Sequence, residues 1–205
     1  MIVPAKTYLS EEAYLAFEQA SSERHEYYQG EIYAMTGGTE THNLLAGNTF
    51  AALHNQLSQR PCRVYTSDQR VKVVATGLHT YPDVTVVCGQ AQFLEDSRRT
   101  LLNPTVIIEV LSPSTERYDR GMKFQHYRTI ETLQVYVLIA QDSWRIEHYH
   151  RHEGDAWVLR EAQGQAAVVH LATIQCTLPL AAVYAKVALP SEASALSQKS
   201  EEGRG

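Results

Sequence analysis

The stretch Thr105-Val-Ile-Ile-Glu-Val-Leu111 sets one carboxylate, Glu109, among branched apolar side chains, and few folds can hold such a segment. A run this apolar cannot leave one face in water, so it reads as a β-strand covered on both sides. An unpaired carboxylate in those surroundings loses on the order of several kcal/mol of hydration unless a cation or hydrogen bonds compensate. A second acid, Asp83, opens another apolar strand, Pro82-Asp-Val-Thr-Val-Val87. Two neighbouring strands can carry both carboxylates to one sheet edge, and a divalent metal is the simplest reason for the pair. Hard Mg²⁺ or Mn²⁺ prefers oxygen ligands and keeps several waters. Two carboxylates, a backbone carbonyl and a substrate phosphate are then enough.

The rest of the chain supplies elements to build around that edge. Ser10-Glu-Glu-Ala-Tyr-Leu-Ala-Phe-Glu18 has a serine at the cap position, early acids and apolar residues at helical spacing, which predicts a short amphipathic helix. Gln29-Gly30 between two Tyr/Ile-rich runs predicts an N-terminal hairpin. After the loop from Thr36 to Thr39, Thr41 to Leu57 predicts the first long helix, with Leu44, Leu45, Thr49, Ala52, Leu53 and Leu57 on its periodic face. A β-rich run from Arg63 to Val74 precedes the two acid-bearing strands. Ser112 to Ile130 returns to helix, beginning in a Ser-Pro-Ser-Thr cap region. Strands at Gln134 to Ile139 and Arg145 to Tyr149 follow, the second paired with Trp157-Val-Leu-Arg160 across Glu153-Gly154-Asp155. The fold class expected is α/β (α+β), a mixed central sheet flanked by helices.

At 205 residues with 44% hydrophobic and 20% charged content, the chain reads as one globular domain over 1–188, with a Ser/Glu/Ala/Gly-rich tail over 189–205 expected to be mobile. No apolar run reaches the roughly 20 residues of a membrane span, and the opening residues lack a signal-peptide pattern, so no membrane partner and a cytoplasmic location are expected. Cys62, Cys88 and Cys176 are odd in number and far apart, which speaks for packing residues rather than a zinc site or disulfide framework. The formal net charge of −5 weighs against tight nonspecific nucleic-acid binding without excluding a small metal-recruiting enzyme. The basic run Arg117, Arg120, Lys123, Arg128 reads first as a solvated helix face. His148-Tyr-His-Arg-His152 sets histidines on one strand face, with no carboxylate nearby to complete a metal site.

Taken together, Pro82-Asp-Val-Thr-Val-Val, Pro104-Thr-Val-Ile-Ile-Glu-Val-Leu-Ser-Pro-Ser-Thr115, Asp119 through Lys123 to Tyr127, and Val135-Tyr-Val-Leu-Ile139 resemble the PD-(D/E)XK nuclease superfamily, and within it the Uma-two (Uma2) group of restriction-endonuclease-like proteins. Upstream, Glu26, Gly30 and His42 fall where that group carries an acidic strand, a turn and a histidine. The resemblance spans residues 10 to 150 and implies a restriction-endonuclease-like core, Mg²⁺- or Mn²⁺-dependent phosphodiester hydrolysis on nucleic acid, DNA foremost, and a homodimer. The strand carrying Trp144 and Tyr149 is a candidate interface. One position departs from the superfamily: the lysine expected two places after the glutamate is Leu111 here. Lys123, projecting from the following helix, is the replacement, with Asp119 four residues before it and Tyr127 four after, on one helix face.

The resulting expectation is a metal-dependent endonuclease with Asp83, Glu109 and Lys123 catalytic. Asp83 and Glu109 hold the metal, joined by Glu26 as a further candidate ligand. His42 is a substrate or proton-relay candidate, and Asp119 and Tyr127 support. The competing expectation, drawn from the acidic charge and from Leu111, is a degenerate nuclease fold kept as a binding or dimerisation module. A hydrolase of small phosphoesters would share the same ligands.

Overall fold

The computed structural model describes residues 8–35, 37–94 and 97–189, so the tail expected from 189 falls, from 190 on, outside the described residues, as does Thr36 of the first loop. The chain opens with helix α1 (Glu11–Ala20), where the Ser10 side chain accepts the Ala13 N–H and Tyr14 and Glu18 form the buried face. A hairpin of β1 (His25–Tyr28) and β2 (Glu31–Ala34) follows. Its turn holds both Gln29 and Gly30 at positive φ, the conformation a two-residue hairpin loop demands. Helix α2 (Glu40–Leu57) starts at Thr39, whose hydroxyl takes the His42 N–H, and buries Leu45, Thr49, Leu53 and Leu57 at helical spacing.

The β-rich run after α2 is not one strand. It divides into β3 (Cys62–Thr66) and β4 (Arg70–Val73), which belong to different sheets. Then come β5 (Leu78–Thr80), β6 (Val84–Cys88), β7 (Thr100–Leu101) and β8 (Val106–Val110). The expected helix from Ser112 is three consecutive pieces: α3 (Glu116–Tyr118), a π-helical segment (Asp119–Lys123) and α4 (Phe124–Tyr127). Strands β9 (Val135–Ile139), β10 (Arg145–Arg151) and β11 (Trp157–Gln163) follow as a meander. A second hairpin, β12 (Val168–Leu171) and β13 (Cys176–Pro179), leads into the short α5 (Leu180–Val183).

Six strands form the sheet β11-β10-β9-β8-β6-β3, antiparallel except for the β8–β9 pair, and five form the sheet β2-β1-β5-β4-β7. Every residue of β8 and of β9 is buried, as the apolar run required. Alternation divides β8 between two cores. Val106, Ile108 and Val110 pack with Leu45, Leu53, Leu171, Leu178 and Val183 beneath α2, α5 and the β12–β13 hairpin. Ile107 faces the other way, with Leu111, Val71, Leu101, Tyr127 and Tyr136. Glu109 lies on that second face.

Two of these expectations need correction. Cys62 and Cys88 form a disulfide: the antiparallel register of β3 and β6 sets them directly opposite each other, a partnership that their distance in sequence conceals. Cys176 remains a free, buried thiol. The basic run is not a uniformly solvated face, since Lys123 is buried and Arg120 is paired with Glu116 and Glu147, leaving Arg117 and Arg128 exposed. Trp144 and Tyr149 of the meander are half-buried, packed against Tyr184 and Phe124 with ring centroids 5.0 and 4.4 Å apart.

Candidate active site

The site forms where five elements meet. β6 and β8 are antiparallel with Val84 opposite Ile108; one residue further, the same register sets Asp83 across from Glu109. The Val110 N–H donates to Asp83 Oδ2 at 2.7 Å, tying the two strand ends together. From the opposite layer, the first turn of α2 brings His42 Nε2 to 3.2 Å from the same Asp83 oxygen.

On the other side of Glu109, the helical stretch 116–127 presents Lys123. Its Nζ lies 3.0 Å from Glu109 Oε1, 3.1 Å from Glu26 Oε1 and 3.5 Å from Asp119 Oδ1. The π-helical segment spans both Asp119 and Lys123, and such widened turns recur at functional sites. The Tyr127 hydroxyl donates to Glu109 Oε1 at 2.7 Å. Glu26 arrives from β1, in the other sheet, with the Thr80 hydroxyl donating to its Oε1.

Seven side chains singled out in sequence are therefore found in two linked groups. Glu26, Glu109, Asp119, Lys123 and Tyr127 surround the amine, and His42 and Asp83 pair beside it. Three neighbours escaped sequence reading. Thr80 lies on β5, a strand of only three residues, too short for a periodic signal. Tyr118 sets its ring 5.9 Å from Lys123 Nζ. Gln141 donates to the Leu111 carbonyl and accepts from Thr39, bridging β8 to the start of α2. A polar residue directly after the apolar run of β9 was the one available clue to Gln141.

Electrostatics at the site is dominated by crowded carboxylates. Burial pushes the Glu109 carboxyl above its usual range and the charges of Asp119 and Asp83 add to this, while Lys123 and Tyr127 act in the other direction. Asp119 is likewise raised, first by burial. Burial alone would lower the Lys123 ammonium, but Glu109, Glu26 and Asp119 outweigh it and hold it well above its ordinary value. The contact with Asp83 raises His42. Lys123 is thus a cation at neutral pH, not a base.

Asp83, Glu109 and Glu26 offer the oxygen donors that a hard divalent cation takes. Asp83, Glu109 and Glu26 each make their protein contacts through a single oxygen; among the described residues nothing bonds the second one. Four carboxyl groups also gather around one ammonium and one imidazole, and a metal ion would keep ionised the acids that burial otherwise pushes toward the protonated form. No three His, Cys, Asp or Glu side chains among the described residues converge tightly enough to enclose an ion by themselves. A Mg²⁺ ion held here would take only part of its shell from the protein, with waters and substrate supplying the rest.

A family model described as "Uma2: Putative restriction endonuclease" matches residues 11–181. Two uncharacterised proteins of Synechocystis sp. are similar along most of their length. One is 35% identical over 169 residues, covering 82% of this chain and 96% of the relative. The other is 37% identical over 155 residues, covering 76% and 80%. Among solved structures, a "putative nuclease belonging to DUF820" from Anabaena variabilis superposes with a TM-score of 0.68 at 17% identity, covering 82% of this chain and 93% of that one. At that identity the likeness is one of fold.

Proposed function

Since the chain belongs to the Uma2 family, whose description is that of a restriction endonuclease, we propose that it is a metal-dependent endonuclease hydrolysing phosphodiester bonds of nucleic acid, with DNA as its substrate. Asp83 and Glu109 would hold Mg²⁺ or Mn²⁺, with Glu26 a third contributor. The observation that carries the reading is the buried Lys123 amine, within 3.1 Å of both Glu26 and Glu109 although the lysine expected two places after the glutamate is absent. A cation delivered from the helix would take the role that a strand lysine fills.

When bound, the metal ion would lower the pKa of a water and screen the phosphate charge. The chain's own groups do the rest. Glu109, Glu26 and Asp119 keep Lys123 protonated and pointed into the cluster, so its charge can meet the negative charge that builds on the phosphate oxygens in the transition state. Tyr127 fixes the Glu109 carboxylate through Oε1, leaving Oε2 for the cation. His42 and the Val110 N–H fix Asp83 in the same way. His42 is also the group placed to contact substrate or relay a proton.

The test pairs Mn²⁺ titration calorimetry with cleavage of supercoiled plasmid DNA. Wild type should bind Mn²⁺ and nick the plasmid. Asp83→Ala and Glu109→Ala should lose the metal and drop cleavage by about 100-fold or more. Undiminished cleavage by Asp83→Ala refutes the assignment. A wild-type chain that takes up no Mn²⁺ supports instead a degenerate fold used for binding, with the carboxylates serving as hydrogen-bond acceptors only.

A further inference from the structure

The turn preceding α2 contains two adjacent glycines in very different surroundings. A Cβ at Gly37 would meet nothing within 4 Å, whereas one at Gly38 would stand 2.6 Å from His42 Nδ1, 2.8 Å from Cγ and 3.1 Å from Cβ. Gly38 does not lie at positive φ, so backbone conformation does not call for glycine there. What glycine permits at 38 is the approach of an imidazole ring to the main chain.

That ring has little freedom to retreat. Its far nitrogen, Nε2, already lies 3.2 Å from Asp83 Oδ2. Its own backbone is held in the first turn of α2, where the His42 N–H donates to Thr39 Oγ1. The turn is anchored as well: the Thr39 hydroxyl donates to Gln141 Oε1 at 3.0 Å, and Gln141 Nε2 donates to the Leu111 carbonyl at 2.7 Å, two residues beyond Glu109. An added methyl at position 38 must therefore rotate the imidazole away from Asp83 or tear the turn from the end of β8.

We infer that Gly38 is a positioning residue: by lacking a side chain it seats His42 against Asp83 and so fixes how the Asp83 carboxylate is presented to the cation. The role toward the cation rests on the nuclease reading above; the contact between Gly38 and His42 does not.

A double-mutant cycle on the full chain tests it, using Gly38→Ala, Gly37→Ala, His42→Ala and the Gly38→Ala/His42→Ala pair. Each protein is measured for its thermal midpoint without metal and for Mn²⁺ affinity by calorimetry. Gly38→Ala should lower the midpoint by several degrees and weaken Mn²⁺ by about tenfold, the scale of losing a group that orients a ligand. Gly37→Ala should change neither. In the His42→Ala background, adding Gly38→Ala should lower the midpoint far less and leave Mn²⁺ binding unchanged, because the ring atoms at 2.6 and 2.8 Å are gone and only the Cβ contact at 3.1 Å remains. Should Gly38→Ala alone fail to fold, a folded double variant gives the same support. Equal damage from Gly38→Ala with and without His42 overturns the inference, as does a double variant that also fails to fold. A wild-type chain that binds no Mn²⁺ sinks the metal reading and the role toward the cation with it, while the midpoints still decide the contact.

Discussion

Lys123 carries more of the local electrostatics than any neighbour, because three carboxylates share its charge. Lys123→Met should destabilise the metal-free protein by about 3–5 kcal/mol, the cost of leaving buried charges without their counter-ion. Added Mg²⁺ should restore part of that loss while cleavage remains abolished. Denaturant unfolding with and without Mg²⁺ measures both, and a loss below about 1 kcal/mol would show that the carboxylates do not depend on the amine. Tyr127→Phe is milder. It removes one hydrogen bond to Glu109 and should cost about 1 kcal/mol of stability, with about tenfold slower cleavage if the orientation of Glu109 matters.

The helical stretch 116–127 is fixed at both ends by residues of β10. Near its start, Arg120 pairs with Glu116 and Glu147. Past its C-terminus, the Arg151 guanidinium donates to the carbonyls of Arg128, Ile130 and Leu133, holding the loop that leads out of the helix. Arg151→Ala should therefore lower stability by about 2 kcal/mol and, by loosening the element that carries Lys123, slow cleavage more than it weakens Mn²⁺ binding. Equal losses in both would place the effect elsewhere. The Cys62–Cys88 bridge acts on another element, tying edge strand β3 to β6. Closing a loop of this length is worth about 3 kcal/mol, so dithiothreitol should lower the thermal midpoint of wild type and leave that of Cys62→Ser unchanged.

Across the whole molecule, two sets of buried groups give stability opposite dependences on pH. Burial pushes His79 and His148 down to about 4, so between there and their ordinary value of 6.5 the unfolded chain binds more protons, and stability falls as pH is lowered through that window. Glu109 and Asp119 are raised, so the folded chain binds more protons above the ordinary carboxylate range, and stability falls as pH rises through their folded values. The metal-free protein should thus be most stable between the two limbs. Each limb should amount to a few kcal/mol in denaturant midpoints recorded across pH. Glu109→Gln should flatten the alkaline limb and spare the acid one. Loss of the acid limb in that variant would contradict the assignment.

The apolar runs of β8 and β9 determined by themselves that these strands would be central and covered on both faces, since no other placement hides so many branched side chains. Cap residues and helical spacing likewise fixed α1 and α2, and the Gln29-Gly30 turn the N-terminal hairpin, because those signals act within a few residues. Everything that depends on partners remote in sequence was decided by tertiary structure. The division of the run after α2 between two sheets, the pairing of Cys62 with Cys88, and the β12–β13 hairpin under α2 follow from strand register and layer packing, which no local pattern encodes. The site shows the same boundary. Its acids were legible because a carboxylate in an apolar strand needs a reason. That Glu26 from a second sheet and Lys123 from a widened helical turn meet at Glu109 is a matter of how the layers stack, and only the assembled fold sets it.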